Sequence, residues 1–257
     1  MISITNGKKQ AQGILIVLFW LTLWQIGSMI VGQDLLLVSP IVVIKTLFSL
    51  IWKLGFWSTV AYSFVRIVSG FLLAIIIGSF LAVISASNRV IQSLLDPFFG
   101  VIKSIPVASF IILVLIWSGS RNLSIVISFL MVLPIIYTNV LEGIHRADRK
   151  LLEMARVFRI SFVKRLKAIY FPGVMPYFTA GCKIGLGLCW KSGIAAEVIG
   201  LSEGSIGEKL YQAKIFLSTA ELFSWTIVIV VISYFFERLF LSGLLCFEKR
   251  LQKGRSL

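Results

Sequence analysis

The chain of 257 residues is 58% hydrophobic and only 14% charged, with a mean hydropathy of +0.96. Soluble domains hold about 45–50% apolar and about 25% charged residues, so disorder, a secreted scaffold and a soluble nucleic-acid binder are excluded. Three cysteines cannot build a disulfide framework. What remains is an integral membrane protein, in which the placement of the +14 net charge matters more than its size.

A bilayer core of about 30 Å needs roughly 20 apolar residues of helix. The first such run is 13–31, after Lys8 and Lys9. It is too long for a signal-peptide core and no small-residue cleavage pattern follows, so an anchoring span is expected. Ser39 and Pro40 form an N-cap and first helical residue. They open an outer amphipathic helix over 40–54, with Lys45, Ser49 and Lys53 on one face, too short and too charged to span. Further spans are expected at 65–86, 98–117, 123–141, 176–199 and 223–245. The expectation is an all-α, polytopic transmembrane bundle of six helices. It forms a single domain over 1–257, with the second to sixth spans inside a core at about 60–245.

Orientation follows from the basic residues. With the N-terminus inside, the inner segments 1–12, 87–97, 142–175 and 246–257 hold fifteen Lys and Arg. The outer segments 32–64, 118–122 and 200–222 hold five. This positive-inside bias places both termini in the cytoplasm. On the outer side, Ser205 and Glu208 stand at capping-box spacing and start a short helix.

Segment 142–175 is too long for a plain connection, and it is periodic. At about 100° per residue, Leu151, Ala155, Phe158, Phe162, Leu166 and Ile169 share one stripe. Arg149, Lys150, Arg156, Lys164 and Lys167 lie away from it. An amphipathic helix, bent or straight and ending at Pro172, is expected. Periodicity alone leaves two uses open for it, resting on anionic headgroups or docking a protein.

Ionisable residues at membrane depth usually line a bundle interior or a wet cavity. The fifth span holds Lys183, Lys191 and Glu197, with Trp190 on the same face. One reading is a translocation pathway favouring an anion. The other is packing, with Lys183 snorkelling inward and Lys191 paired to Glu197. In the second span Gly70, Ala74, Gly78, Ala82 and Ala86 make a small-residue stripe suited to close helix contact. Gly181 and Gly185 add a weaker one. Pro106 and Pro134 are expected within spans, as kinks or hinges. Cys182 and Cys189 read as reduced packing residues.

The chain has no phosphate-cradling G-x-x-x-x-G-K-[S/T] motif, and its single histidine is His145. No catalytic, cofactor-binding or metal site is expected, and no enzymatic activity.

The inner segment reads Glu153-Met-Ala155, three residues, Arg159, nine residues, then Ile169-Tyr-Phe-Pro172. Its gaps match those of E-A-A-x3-G-x9-I-x-L-P, and it resembles the EAA loop of permease subunits of binding-protein-dependent ABC importers. Arg66 with Gly70, Ser104 to Pro106, Trp117 to Gly119, Gly181 to Lys183, Trp190, Ala196 with Glu197, and Gly204 with Gly207 extend the resemblance. Together they resemble the nitrate/sulfonate/taurine branch of type I importers.

The resemblance implies a permease of the bacterial inner membrane whose 142–175 loop carries a coupling helix. It would seat on a separate ATPase subunit through Leu151, Glu153, Ala155, Arg156, Phe158, Arg159 and Phe162. Arg159 departs from the family's glycine, so either the turn is relaxed or the arginine makes a contact glycine cannot. The implied assembly holds two ATPase subunits that bind ATP and Mg, a second permease chain as a homodimer, and an extracytoplasmic solute-binding protein. No nucleic acid is involved. The solute would be a small anion such as a sulfonate, taurine, nitrate or bicarbonate, or a thiamine-precursor-like compound. The competing class is a proton-coupled secondary transporter or channel using Glu197.

Overall fold

The computed structural model describes residues 3–33 and 35–253, and no strand occurs among them. Ten α-helices follow one another: α1 (Ser3–Val31), α2 (Pro40–Ile51), α3 (Phe56–Ser87), α4 (Arg89–Ser104), α5 (Val107–His145), α6 (Arg149–Val157), α7 (Phe162–Arg165), α8 (Phe171–Gly200), α9 (Ile206–Ile215) and α10 (Thr219–Lys253). A five-residue π-helical turn, Leu166–Tyr170, joins α7 to α8. Three helices are long and apolar enough to cross a membrane: Phe56–Ser87, Val107–His145 and the Thr219–Cys246 part of α10. In α1 the apolar stretch is the shorter Leu15–Val31. The 30-residue α8 carries the ionisable Lys183, Lys191 and Glu197.

The contacts divide the chain into two compact units, Met1–Thr59 with Lys209–Val228, and Val60–Glu208 with Ile229–Leu257. In the first, Ser39 caps α2 by accepting from the Val42 N–H, with Pro40 at its start. The helix stops at Ile51, short of the expected 54. Pro40, Val43 and Leu50 are its buried face, and the Ser224 hydroxyl donates to the Val43 carbonyl at 3.1 Å. Trp225 stacks on Phe56 at 5.1 Å, and Lys53 pairs with Glu221 at 3.3 Å.

The second unit is built around α5, which packs against α3 and α8. The small-residue stripe of α3 lies in this contact: Ala74 and Ala82 are fully buried. A Cβ added at Gly78 would stand 3.1 Å from the Ile136 Cβ. At Gly193 of α8 an added Cβ would meet the Ser128 Oγ at 2.6 Å and the Ile67 Cγ1 at 2.7 Å, so only glycine lets three helices converge there. Apolar lipid gives helices no hydrophobic reason to associate, so close packing and interhelical hydrogen bonds must do it. The Ser128 hydroxyl supplies one such bond, donating to the Cys189 carbonyl at 3.1 Å. Cys182 and Cys189 are buried free thiols, as packing residues should be.

Two expected elements differ. The apolar run 98–117 is not one helix. Pro106 pushes the residue before it out of helical geometry, and Ile105 is extended at φ −73°, ψ 131°. Helix α4 therefore ends at Ser104, and Pro106 precedes α5 instead of lying inside a span. Helix α5 is broken in turn at Gly119, whose φ of 66° and ψ of 172° are non-helical, a conformation open to glycine alone. Segment 142–175 is not one amphipathic helix ending at Pro172 either. It holds the end of α5, α6, a sharp turn, and then α7 and the π turn leading into α8. Pro172 falls in the first turn of α8, where the missing N–H is tolerated. Lacking that donor, the chain opens to the wider π turn just before it.

Candidate functional site

The first candidate surface begins at α6. Asp148 is its N-cap, accepting from the Lys150 N–H at 2.9 Å. At the other end the Ile160 N–H donates to the Ala155 carbonyl at 2.9 Å, and the Arg159 N–H to the Arg156 carbonyl at 3.0 Å. These two bonds define a Schellman stop. It requires a left-handed residue at position 159, and Arg159 has φ 51°. The turn is therefore not relaxed: arginine occupies the conformation that glycine takes without cost, at about 1 kcal/mol or more.

The turn resets the helical phase, so the stripe from Leu151 to Ile169 does not form one face. Instead, the large side chains around it stand in the open. Phe158 is 71% exposed and Phe162 64%, and Leu151, Met154, Val157 and Val163 are exposed with them. Glu153 and Arg156 are exposed as well, while Ala155 is buried. Ala155 thus belongs to the packing beneath α6, leaving Leu151, Glu153, Arg156, Phe158, Arg159 and Phe162 at the surface. Met154, Val157 and Val163 were missed because they lie off a stripe drawn for an unbroken helix. An apolar cluster rimmed by charge suits contact with a protein or with a membrane surface.

The expected polar face of α8 is divided. Lys183 and Lys191 are exposed, whereas Trp190 and Glu197 are buried. The four positions spread over about 120° of the helix, wide enough to reach both an open and a packed side. Lys191 does not pair with Glu197: the one is exposed and the other buried among Ser63 and Gly207. Beside Lys191, α8 and α10 line a half-open cavity of about 370 Å³, to which Trp190, Lys191, Ser233 and Glu237 contribute. Glu237 was missed, although an ionisable residue inside an apolar run is itself the signal.

Glu197 serves the C-terminal end of α8. Its Oε2 accepts from the Ser63 hydroxyl at 2.7 Å and from the Gly207 N–H at 3.2 Å. Ser63 in turn accepts from the Ile206 N–H at 2.9 Å. A carboxylate and a hydroxyl from two long helices thus satisfy the first N–H groups of α9, which its own residues cannot reach. The capping box completes the job: the Glu208 N–H donates to Ser205 Oγ at 3.0 Å, and Glu208 accepts from the Gly204 N–H at 2.6 Å. Gly207 is pressed on Glu197 so closely that an added Cβ would collide with that residue's Cβ and stand 2.6 Å from the Val198 nitrogen.

Residues 74–245 match the family described as binding-protein-dependent transport system inner membrane component. The taurine transport system permease protein TauC of Escherichia coli (strain K12) is 26% identical over 234 residues, covering 89% of this chain and 83% of the relative. The nitrate import permease protein NrtB of Synechococcus elongatus is 28% identical, covering 76% of this chain and 73% of the relative. Among solved structures, an amino acid ABC transporter superposes with a TM-score of 0.56 at 18% identity, over 76% of this chain and 93% of that one. The MetNI methionine ABC transporter in an inward-facing form gives 0.52 at 17% identity, over 73% and 93%. The chain belongs to the binding-protein-dependent transport system inner membrane component family and is a permease subunit of an ABC importer.

Proposed function

We propose that this permease forms the solute pathway of an ATP-driven importer and takes its energy from a separate subunit through the exposed surface at 151–163. The observation that carries this reading is the rigid presentation of Phe158 and Phe162 on either side of a hydrogen-bonded turn. Two ATPase subunits hold ATP and Mg, and each receives the surface of one permease in a homodimer. An extracytoplasmic binding protein delivers solute to the outer side. Both termini face the cytoplasm, in line with the placement of the basic residues. Lys183 and Lys191 on the open side of α8 suit a solute bearing an anionic group, the chemistry named for the taurine and nitrate relatives.

Closure of the ATPases on ATP moves the docked α6 turn, and the helical run from α7 through α8 carries that movement to the pathway. A proton-coupled mechanism through Glu197 has less to work with, because that carboxylate is engaged in capping α9. The test is co-purification of an ATPase subunit with the chain in lipid nanodiscs and the resulting ATP turnover. Glu153→Arg and Phe158→Ala should each cut association about tenfold or more, as loss of an interface anchor does, while leaving the permease itself folded. Normal association and turnover in both variants would overturn the docking role. Protonophore-sensitive uptake by the permease alone would favour the proton-coupled class.

A further inference from the structure

A lysine and a glutamate at membrane depth are each costly unless something answers their charge. Lys191 lies nine residues before the end of α8 and Glu237 eighteen residues after the start of α10, about 14 and 27 Å along their helices. Both line the same cavity, yet neither takes part in an ion pair among the described residues. Trp190 beside them is 3% exposed, and its indole N–H is closed off from this space.

The cavity is therefore bipolar. Its α8 wall offers the Lys191 ammonium. Its α10 wall offers the Glu237 carboxylate, one helical turn beyond Ser233, whose own proton is given to the Val230 carbonyl at 3.0 Å. Ile194 and Val230 supply apolar surface between the two walls. A simple oxyanion would satisfy the first wall and be repelled by the second. A solute carrying an oxyanion and an ammonium, joined by a short alkyl link, answers both.

We propose that this cavity is a selectivity site for small zwitterions. The oxyanion sits at Lys191, the ammonium at Glu237, and the alkyl link against Ile194 and Val230. The site rests on the importer reading only in that the transported solute passes this face of α8. A volume of this order suits a small organic solute.

Taurine and isethionate test it, because they share the sulfonate and differ only in an ammonium against a hydroxyl. Uptake of each is measured in proteoliposomes holding the permease with its ATPase and binding protein. The rate of a variant is divided by the wild-type rate for the same solute, which removes the preference of the binding protein. Glu237→Gln should cut taurine uptake about tenfold or more, as loss of a charge-assisted hydrogen bond does, and leave isethionate within about twofold. Lys191→Met should lower both solutes, and Glu237→Asp should recover part of the taurine rate. Equal loss of both solutes in Glu237→Gln, no loss of either, or ATP-driven uptake of neither overturns the site. Taurine uptake that depends on Glu237 but ignores ATP would overturn the importer reading and leave the site standing.

Discussion

The two ends of the α7–α8 run are built on opposite plans. At the outer end the helix donors are answered from within the chain: Glu197 Oε2, Ser63, Ile206 and Gly207 form one buried hydrogen-bonded cluster, with Glu197 Oε1 alone left without a partner among the described residues. At the inner end the turn after α6 satisfies its backbone but leaves Phe158 and Phe162 uncovered. A region that completes itself is a structural fixture. One that fixes its backbone yet leaves its aromatic side chains bare is shaped for something outside the chain.

If this contrast is right, substitutions at the outer end disturb the chain itself, and those at the inner end do so little. The largest effect is expected at Gly207→Ala. Its methyl group would meet backbone and Cβ atoms of α8 that cannot move aside, a cost of about 3 kcal/mol. A lowered melting temperature of the purified permease in detergent would show it, and an unchanged one would mean α9 is not held as described. Glu197→Ala comes next, because it leaves the Ser63 hydroxyl and the Gly207 N–H buried without their acceptor, at about 2 kcal/mol. Amide exchange at 206–208 should quicken in this variant and stay near normal in Glu197→Gln, whose side-chain carbonyl can still accept both bonds. Equal exchange in the two would separate the cap from the carboxylate.

The smallest effect is a gain. Arg159→Gly relieves left-handed strain of about 1 kcal/mol, offset in part by the extra freedom glycine brings to the unfolded chain. Slower exchange of the Ile160 amide would register the relief. Faster exchange would mean that the arginine side chain steadies the turn.

Much of this was legible in the sequence, and the losses have physical causes. The position of the inner turn was readable through the motif it resembles, and Ser39 and Ser205 were legible as caps, whereas Asp148 was not singled out. The small-residue stripe of α3 announced its contact. Phase was lost beyond Arg159, since a left-handed residue resets the rotation on which a stripe depends. The division of the run 98–117 was written in Pro106 but hidden by hydropathy, which averages over the dihedrals that break a helix. The partner of Glu197 could not be found by periodicity, because Ser63 lies 134 residues away and depends on α3 and α8 coming together.

The π turn at Leu166–Tyr170 has a geometric consequence for the surface ahead of it. Its hydrogen bonds reach one residue further than those of an α-helix, so it accommodates about one residue more than an α-helical turn would. Removing a residue from this stretch, and so restoring α geometry, would swing α7 and everything before it by about 100° around the axis of α8. The extra residue thus sets the compass bearing of Phe162 relative to Lys191, fixing the direction in which a push at one is felt by the other.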